Sequence, residues 1–217
     1  MSGDACDIFL LFVQLPVEKL LWLCYHILVG FLSRRGRAEL SNIGKPGDES
    51  GTDGKTGDFK ELWLMVKILF VCLGNICRST MAEYVMKYLV KEQGLEKRFQ
   101  IDSAGTSDEE TGNPVHHGTR RRLQQAGIPC GGHRARQMTA ADYDRFDLLV
   151  GMEEANLRAM RRITGGDPAG KIHKLLEYTP HSRDIADPWY TGDFDATFDD
   201  VWEGCQALLA WCLENDR

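Results

Sequence analysis

The sequence has no excess of basic residues that would favour binding to a nucleic acid. Its 26 lysines and arginines are outnumbered by 32 aspartates and glutamates, for a formal net charge of -6 at pH 7. Because binding to a phosphate backbone depends on neutralising its charges, we expect no nucleic-acid partner. Internal repeats are also absent. The 43% hydrophobic and 27% charged residues in a chain of 217 are typical of a protein with one well-buried globular domain.

The chain also lacks the cysteine pattern of a secreted, disulfide-bonded protein. Its seven cysteines are odd in number and follow no regular spacing. They occur at Cys6, Cys24, Cys72, Cys77, Cys130, Cys205 and Cys212. We therefore expect a reducing compartment, the cytoplasm, in which thiols stay free and one of them can be catalytic.

Residues 8–32 form a nearly continuous apolar run that lacks the basic start of a signal peptide. The run is long enough to cross a bilayer, and the arginines after it would place its C-terminal side in the cytoplasm. Glu18 and Lys19 lie at its middle beside Pro16, and each charge at the centre of a membrane helix costs about 2.5–3.5 kcal/mol. For residues 1–40, a membrane anchor, an amphipathic arm, two short helices lying on a membrane and an extension without a role all stay open.

A polar segment separates this run from a domain of different composition. Residues 41–58 consist mostly of Gly, Ser, Asp and Lys and have almost nothing to bury. We therefore predict a flexible linker over residues 41–64 and a compact domain over residues 65–217.

From Met65 onward, strand patterns alternate with helix patterns. Short apolar runs predict strands at residues 66–72, 99–103, 146–152 and 172–176. Helical spacing predicts helices at about residues 80–93, 117–125, 154–162 and 194–213. Thr80 and Glu83 fit a capping box at the start of the first helix, and Gly94 fits its end. The alternation predicts an α/β fold, a doubly wound parallel sheet of about four strands with helices on both faces.

The segment after the first predicted strand has the features of an anion-binding loop. Cys72 ends the strand, at the edge where doubly wound sheets bind ligands, and the chain then turns into a helix N-terminus. Gly74 and Asn75 tolerate positive φ, so the loop can curl with its N–H groups facing inward. Arg78 adds a guanidinium whose fork matches two phosphate oxygens.

A cysteine in this setting has a chemical consequence. The helix N-terminus, the amides and Arg78 all favour the thiolate form of Cys72. A thiolate beneath a bound phosphoryl group is placed for in-line attack on phosphorus, while the amides and Arg78 stabilise the charge on the equatorial oxygens. Ser79 can donate to the sulfur and help it leave in the second step. The sequence therefore predicts a cysteine-dependent phosphatase with a phosphate-binding loop after the first strand.

Other loop types fit less well. The loop after the first predicted strand has neither a Gly-x-Gly-x-x-Gly pattern nor a Gly-Lys-Ser/Thr ending, so a nucleotide-binding loop is not expected there. Cys72 and Cys77 are close, but the other cysteines and the histidines are scattered, so we expect no metal. A cysteine before a loop is often only a small core residue. The specific feature is the combination of Cys72 and Arg78 between a strand and a helix.

A second segment supplies a proton donor. Pro188 biases Asp187 to an extended conformation. Trp189 and Tyr190 offer flat walls for an aromatic substrate, and their apolar surface favours a protonated Asp187. Alone, Asp-Pro with aromatic neighbours is more often a simple turn. Together with the cysteine loop, it predicts that Asp187 is the general acid.

The two segments resemble the signatures of the low-molecular-weight protein tyrosine phosphatases, and the resemblance covers residues 65–213. It implies hydrolysis of phosphotyrosine in two steps through a phosphocysteine on Cys72, with Arg78 binding phosphate. Asp187 would protonate the leaving group and then activate water. No metal or cofactor is implied, and the implied partners are phosphotyrosine-containing proteins or small aryl phosphates.

The same resemblance assigns supporting roles. Asn75, Ser103 and His133 look like the network that holds the loop in shape, and Cys77 looks like the partner of Cys72 in a reversible disulfide. The residues expected to contact substrate are Leu73, Gly74, Asn75, Ile76, Cys77, Ser79, Trp189 and Tyr190.

Three alternatives depart from this hypothesis. Related arginine phosphatases carry Thr where this chain has Ile76, so Ile76 favours phosphotyrosine over phosphoarginine. A thiol-dependent arsenate reductase of the same fold would need two further cysteines on a mobile segment, and only Cys130 lies in a plausible place. A phosphopeptide-binding module without turnover would have no need of Asp187.

Residues 106–115 lack the tryptophan that many family members carry there, which leaves substrate preference open. The sequence does not indicate the oligomeric state.

Overall fold

The computed structural model describes residues 65–215. The apolar segment and the linker predicted for residues 1–64 lie outside the described residues, so both assignments stay predictions. Between residues 65 and 215, no helix is both long and apolar enough to span a bilayer.

Four parallel strands form the central sheet. They are β1 (Val66–Cys72), β2 (Phe99–Gly105), β3 (Leu148–Gly151) and β4 (Ile172–Lys174). Their order is β2-β1-β3-β4, with every pairing parallel. Strand β2 lies on one side of β1, and β3 and β4 lie on the other. The carboxyl end of β1 is therefore at the point where the strand order reverses, which is where doubly wound sheets bind ligands. The predicted fold class is confirmed.

The four long helices lie where the sequence predicted them, and the structure adds two short helices. They are α1 (Arg78–Glu92), α2 (His117–Gln125), α3 (Ala141–Arg145), α4 (Glu154–Thr164), α5 (Pro188–Thr191) and α6 (Phe194–Glu214), with 3₁₀ turns at Glu96–Arg98 and Leu175–Tyr178. The short α3 and α5 were not predicted, because each is too brief to show a helical period.

Alternate side chains of β1 enter two separate cores. Ile68 and Phe70 pack into a core shared with α1 and α6, and Leu69 and Val71 pack into one shared with α4. All four side chains are completely buried, and each contributes about 1.5–3 kcal/mol by leaving water. Burial on both faces explains why β1 is almost wholly apolar.

The start of α1 differs from the prediction. The helix begins at Arg78 rather than Thr80, and its N-cap is Cys77, which makes no side-chain capping bond. The predicted capping box is wrong, because Thr80 Oγ1 donates to the carbonyl of Asn75 over 2.9 Å instead, and Glu83 is used elsewhere. Gly94, with φ of 67°, follows the end of the helix as predicted.

The later boundaries shift by a few residues. β3 is shorter than predicted, at Leu148–Gly151. Helix α4 extends to Thr164, where Gly165 ends it in the left-handed conformation. Strand β4 stops at Lys174 because the chain enters a 3₁₀ turn there.

Candidate active site

The loop between β1 and α1 curls around the sulfur of Cys72. Asn75 has a φ of 60°, the one positive φ outside glycine among the described residues, in a conformation that asparagine tolerates better than most side chains. The backbone N–H of Asn75 donates to Cys72 Sγ over 3.3 Å. Helix α1 then begins at Arg78, with its unpaired N–H groups and positive dipole end at the loop.

The side chain of Asn75 holds this curl in place. Its Nδ2 donates to Ser79 Oγ over 3.0 Å and to Ser103 Oγ over 2.8 Å. Its Oδ1 accepts from the backbone N–H of Arg136 over 3.0 Å. Two acceptors on one side and a backbone donor on the other fix the orientation of the amide. The completely buried Asn75 is thus fully hydrogen-bonded, as a buried amide must be.

The hydroxyl oxygens of Ser79 and Ser103 each accept one of these hydrogen bonds. Because Asn75 donates to both hydroxyls, each serine can give its own proton to a further acceptor. Ser103 Oγ donates to Glu83 Oε2 over 2.5 Å. Ser79 Oγ lies 3.0 Å from Cys72 Sγ and can donate to the sulfur when Cys72 is a thiolate, which has no proton of its own to give. The network therefore ends at the sulfur of Cys72.

Glu83 and His133 close the network behind the loop. Glu83 is 5% exposed and pairs with Lys87. His133 Nε2 donates to the carbonyl of Asn75 over 2.8 Å. Its other ring nitrogen lies 3.8 Å from Glu83 Oε2. Sequence reasoning missed the role of Glu83, although its position four residues after Ser79 places it on the same helix face.

Arg78 is the largest fully buried side chain of the domain. Its Nη1 donates to the carbonyl of Ile185 over 3.1 Å and contacts Glu153 Oε1 at 3.0 Å. Its Nη2 pairs with Asp187 Oδ2. Its Nε is buried and has no hydrogen-bond partner among the described residues. A buried charge needs such compensation, and the free Nε leaves one donor for a bound anion.

Asp187 is held at both of its carboxyl oxygens. Its backbone is extended, with φ of -82° and ψ of 115°, as predicted for a residue before proline. Oδ1 accepts from the N–H of Trp189 over 3.1 Å and caps the short helix α5, while Oδ2 faces Arg78. The structure thus places the predicted acid and the predicted phosphate-binding guanidinium in direct contact.

A cleft of about 140 Å³ opens over these groups. Its lining consists of Cys72, Leu73, Gly74, Ile76, Cys77, Arg78, Glu109, Glu110, Asp187, Trp189 and Tyr190. Asn75 and Ser79 do not line it and lie behind the loop. Leu73, Trp189 and Tyr190 are exposed apolar residues at the cleft, which gives it an apolar rim. Glu109 and Glu110 were not predicted, since residues 106–115 show no periodic pattern that would place them.

Like Cys72, which is 3% exposed, Cys77 is almost completely buried. It is 4% exposed and packs beside Ile76 and Ala135. Burial, and then the negative charge of Cys72, raise the pKa of the Cys77 thiol to about 12, against the opposing effects of Thr119 and Arg78. Cys77 is therefore a neutral thiol at physiological pH.

The remaining cysteines of the domain lie away from the cleft. Cys205 and Cys212 are completely buried within α6, and burial raises the pKa of Cys205 well above its usual value. Cys130 is partly exposed and lines a different cleft beside Arg120. Within residues 65–215, no cluster of three or more metal-ligating side chains occurs.

Comparisons with known proteins converge on one family. The family model described as low molecular weight phosphotyrosine protein phosphatase matches residues 67–217. The low molecular weight protein-tyrosine-phosphatase YfkJ of Bacillus subtilis is 41% identical over 148 residues, which cover 67% of this chain and 95% of that protein. The human low molecular weight phosphotyrosine protein phosphatase is 40% identical over 150 residues, which cover 68% of this chain and 93% of that protein.

Solved structures agree with the sequence matches. The crystal structure of YfkJ superposes with a TM-score of 0.69 at 39% identity, covering 70% of this chain and 98% of that one. The Drosophila arginine phosphatase superposes with a TM-score of 0.62 at 28% identity, covering 67% of this chain and 97% of that one.

Proposed function

The chain belongs to the low molecular weight phosphotyrosine protein phosphatase family and is a protein-tyrosine phosphatase, and on that premise we propose that Cys72, Arg78 and Asp187 carry its reaction. The contact between Arg78 and Asp187 at the mouth of the Cys72 loop supports this proposal most directly. Residues that are 109 positions apart meet at one cleft, and each supplies a different part of phosphoryl transfer.

In the first step, the phosphoryl group of phosphotyrosine occupies the loop. The Cys72 thiolate attacks phosphorus as the bond to the tyrosine oxygen breaks. The loop amides and Arg78, through its unpartnered Nε, bind the equatorial oxygens. Asp187 turns from Arg78 to the leaving oxygen and gives it a proton, so that tyrosine departs as a neutral phenol.

In the second step, water releases the phosphate. Asp187, now a carboxylate, takes a proton from a water molecule that attacks the phosphorus of the phosphocysteine. The bond between phosphorus and sulfur breaks, and the electron pair returns to Cys72. Ser79, which lies 3.0 Å from the sulfur, donates to the departing thiolate and lowers the energy of that step.

The lining of the cleft supports a tyrosine substrate. Trp189 and Tyr190 are 56% and 76% exposed, which leaves their ring faces accessible to a phenyl ring. Ile76, which lines the loop side of the cleft, offers no hydroxyl to a guanidinium leaving group. Phosphotyrosine-containing proteins and small aryl phosphates are the proposed substrates, with no metal or cofactor taking part.

An arsenate reductase function receives less support. Its disulfide relay would need accessible cysteines, but Cys205 and Cys212 are buried within α6. Cys130 lines a different cleft from Cys72. Turnover of arsenate with thioredoxin that is unaffected by Asp187→Ala would overturn the proposed ranking.

We also propose a domain organisation in which residues 65–217 form a cytoplasmic catalytic domain after a linker at residues 41–64. Anchoring through residues 8–32 stays a prediction. Fractionation of cells that express the chain with and without residues 1–60 tests it. Recovery of both forms in the soluble fraction would contradict an anchor.

Hydrolysis assays test the proposed catalytic roles. We expect wild-type protein to hydrolyse p-nitrophenyl phosphate and a phosphotyrosine peptide without added metal. Cys72→Ser should remove turnover, and Arg78→Lys should raise KM and lower kcat because the fork is lost while the charge stays. Full activity of Cys72→Ser, with its fold verified by circular dichroism, would contradict the proposal.

A further inference from the structure

Two carboxylates stand at the mouth of the cleft and have no part in the mechanism above. Glu109 and Glu110 both belong to its lining. Glu110 lies over the loop, since its Cγ is 3.0 Å from the position that a Cβ on Gly74 would take. Glu110 Oε2 accepts from Asn113 Nδ2 over 2.6 Å, which orients its carboxylate. Glu109 is exposed, so its carboxylate is accessible to a ligand.

The lining of the cleft carries more acidic than basic side chains. Among the described residues that line the cleft, the acidic ones are Glu109, Glu110 and Asp187, and Arg78 is the one cation. Arg78 is also already paired with Glu153 and Asp187. A phosphate ester adds further negative charge, which the two glutamates repel. A substrate that brings its own cation to the rim removes this repulsion.

The rim combines two chemically different kinds of side chain. Leu73, Trp189 and Tyr190 are exposed apolar side chains, and the two glutamates are the acidic part. The cleft is small, with a volume of about 140 Å³, so we expect the residues that flank a phosphotyrosine in a peptide to lie at its rim. The buried, unpartnered Nε of Arg78 independently marks this cleft as a place for an anionic ligand.

We infer that Glu109 and Glu110 select phosphotyrosine sites flanked by lysine or arginine. This inference rests on the proposed function and names its substrate class. The tyrosine ring packs on the apolar residues of the rim, and the flanking cation pairs with the two carboxylates. Such exposed pairs act as a preference between substrates rather than a condition for turnover.

A matched peptide series tests the inference. The peptides share one phosphotyrosine sequence and carry lysine, norleucine or glutamate beside it. We expect wild-type kcat/KM to fall in the order lysine, norleucine, glutamate, with up to about a fivefold change for each carboxylate that is engaged. In Glu109→Gln/Glu110→Gln, activity on the lysine peptide should fall and activity on the glutamate peptide should rise, since attraction and repulsion are removed together. Raising ionic strength from about 0.01 M to about 1 M should reduce the wild-type preference.

The control is Asp108→Asn, which removes a carboxylate of the same segment that does not line the cleft. It should keep the wild-type order of preference. Equal kcat/KM values for the three peptides, or an unchanged preference in the double variant, would overturn the inference and leave the proposed function standing. Failure of the wild type to hydrolyse any of the peptides would overturn both.

A phosphoarginine peptide distinguishes between two roles for the glutamates: binding a cation that flanks the phosphorylated residue, and binding a cation that is the leaving group itself. We expect the wild type to prefer the lysine-flanked phosphotyrosine peptide over phosphoarginine. If phosphoarginine is the better substrate and the double variant loses that activity alone, the two glutamates serve the leaving group and the inference is wrong.

Discussion

The side-chain amide of Asn75 donates to the hydroxyl of Ser79 over 3.0 Å. The Ser79 oxygen lies 3.0 Å from Cys72 Sγ, and since a thiolate has no proton to give, the Ser79 hydroxyl is the donor whenever Cys72 is ionised. Asn75, whose φ is positive, thus contributes to the hydrogen bonds around the sulfur as well as to the shape of the loop. The same amide reaches the buried Glu83 through Ser103, so a carboxylate far from the cleft polarises the network.

The first prediction concerns this hydrogen bond. Ser79→Ala should slow hydrolysis of the phosphocysteine more than its formation, because the thiolate loses its hydrogen-bond donor as it leaves. Hydrogen bonds to charged groups contribute about 1.5–3 kcal/mol, so kcat should fall by about one to two orders of magnitude. Stopped-flow release of p-nitrophenol should then show a burst. A steady state without a burst and an unchanged kcat would count against the role given to Ser79.

The second prediction concerns the proton donor. Asp187→Asn should lower kcat/KM on phosphotyrosine by about 10²–10⁴-fold, the usual contribution of a general acid. The loss should be smaller for p-nitrophenyl phosphate, because its leaving group is stable without a proton. A series of aryl phosphates measures this dependence. If wild type and variant respond equally to leaving-group basicity, Asp187 is not the acid. Asp184→Asn, in the same loop but outside the cleft lining, is the matched control.

The third prediction follows from the two neighbouring cysteines. Since burial and the charge of Cys72 raise the pKa of Cys77 to about 12, iodoacetamide at neutral pH should modify Cys72 and leave Cys77 intact. Inorganic phosphate should slow the reaction at Cys72 by occupying the loop. Peptide mass spectrometry of the alkylated protein identifies the site. Modification of Cys77 at the rate of Cys72 would contradict the difference between the two environments.

The fourth prediction concerns stability rather than chemistry. Burial opposes ionisation of Asp142, but the N–H of Thr139 and the guanidinium of Arg136 outweigh it and hold the pKa of Asp142 below its usual value. Because the folded pKa lies below the unfolded value of about 3.9, the carboxylate stabilises the fold above that pH, and this stabilisation is lost as the pH falls through the folded pKa. Asp142→Asn should therefore cost about 1–3 kcal/mol at neutral pH.

Urea unfolding at several pH values measures the effect of Asp142→Asn. The difference in unfolding free energy between wild type and variant should shrink as the medium becomes more acid. A difference that is independent of pH would mean that Asp142 contributes through packing and not through its charge.

The strands and long helices were predictable because their signals are local. β1 is a buried apolar run, α1 has helical spacing, and both lie within a few residues of the predicted limits. Cys72 and Arg78 were predictable for the same reason, since they lie within one loop. The roles of Asp187 and Arg78 were each predicted from their residue types, but their direct pairing was not, because it depends on the tertiary fold.

Three features could not be predicted from local patterns. The capping box failed because Thr80 donates to the carbonyl of Asn75 in the preceding loop, while Glu83 accepts from Ser103 on strand β2. The backbone N–H of Arg136 reaches Asn75 across 61 positions, a contact that leaves no mark on sequence spacing. Glu110 lies over Gly74 in a segment without periodicity, so only the fold assigns it to the cleft.

Covalent phosphorylation of Cys72 is the step on which every proposed residue role depends. Rapid acid quench during turnover of a phosphotyrosine peptide, followed by mass spectrometry of the peptide that contains Cys72, detects it directly. We expect phosphate on Cys72 in the wild type, more of it in Ser79→Ala, and none in Cys72→Ser. Turnover without any phosphorylated Cys72 in the wild type or in Ser79→Ala, or phosphate found on another residue, would contradict the mechanism.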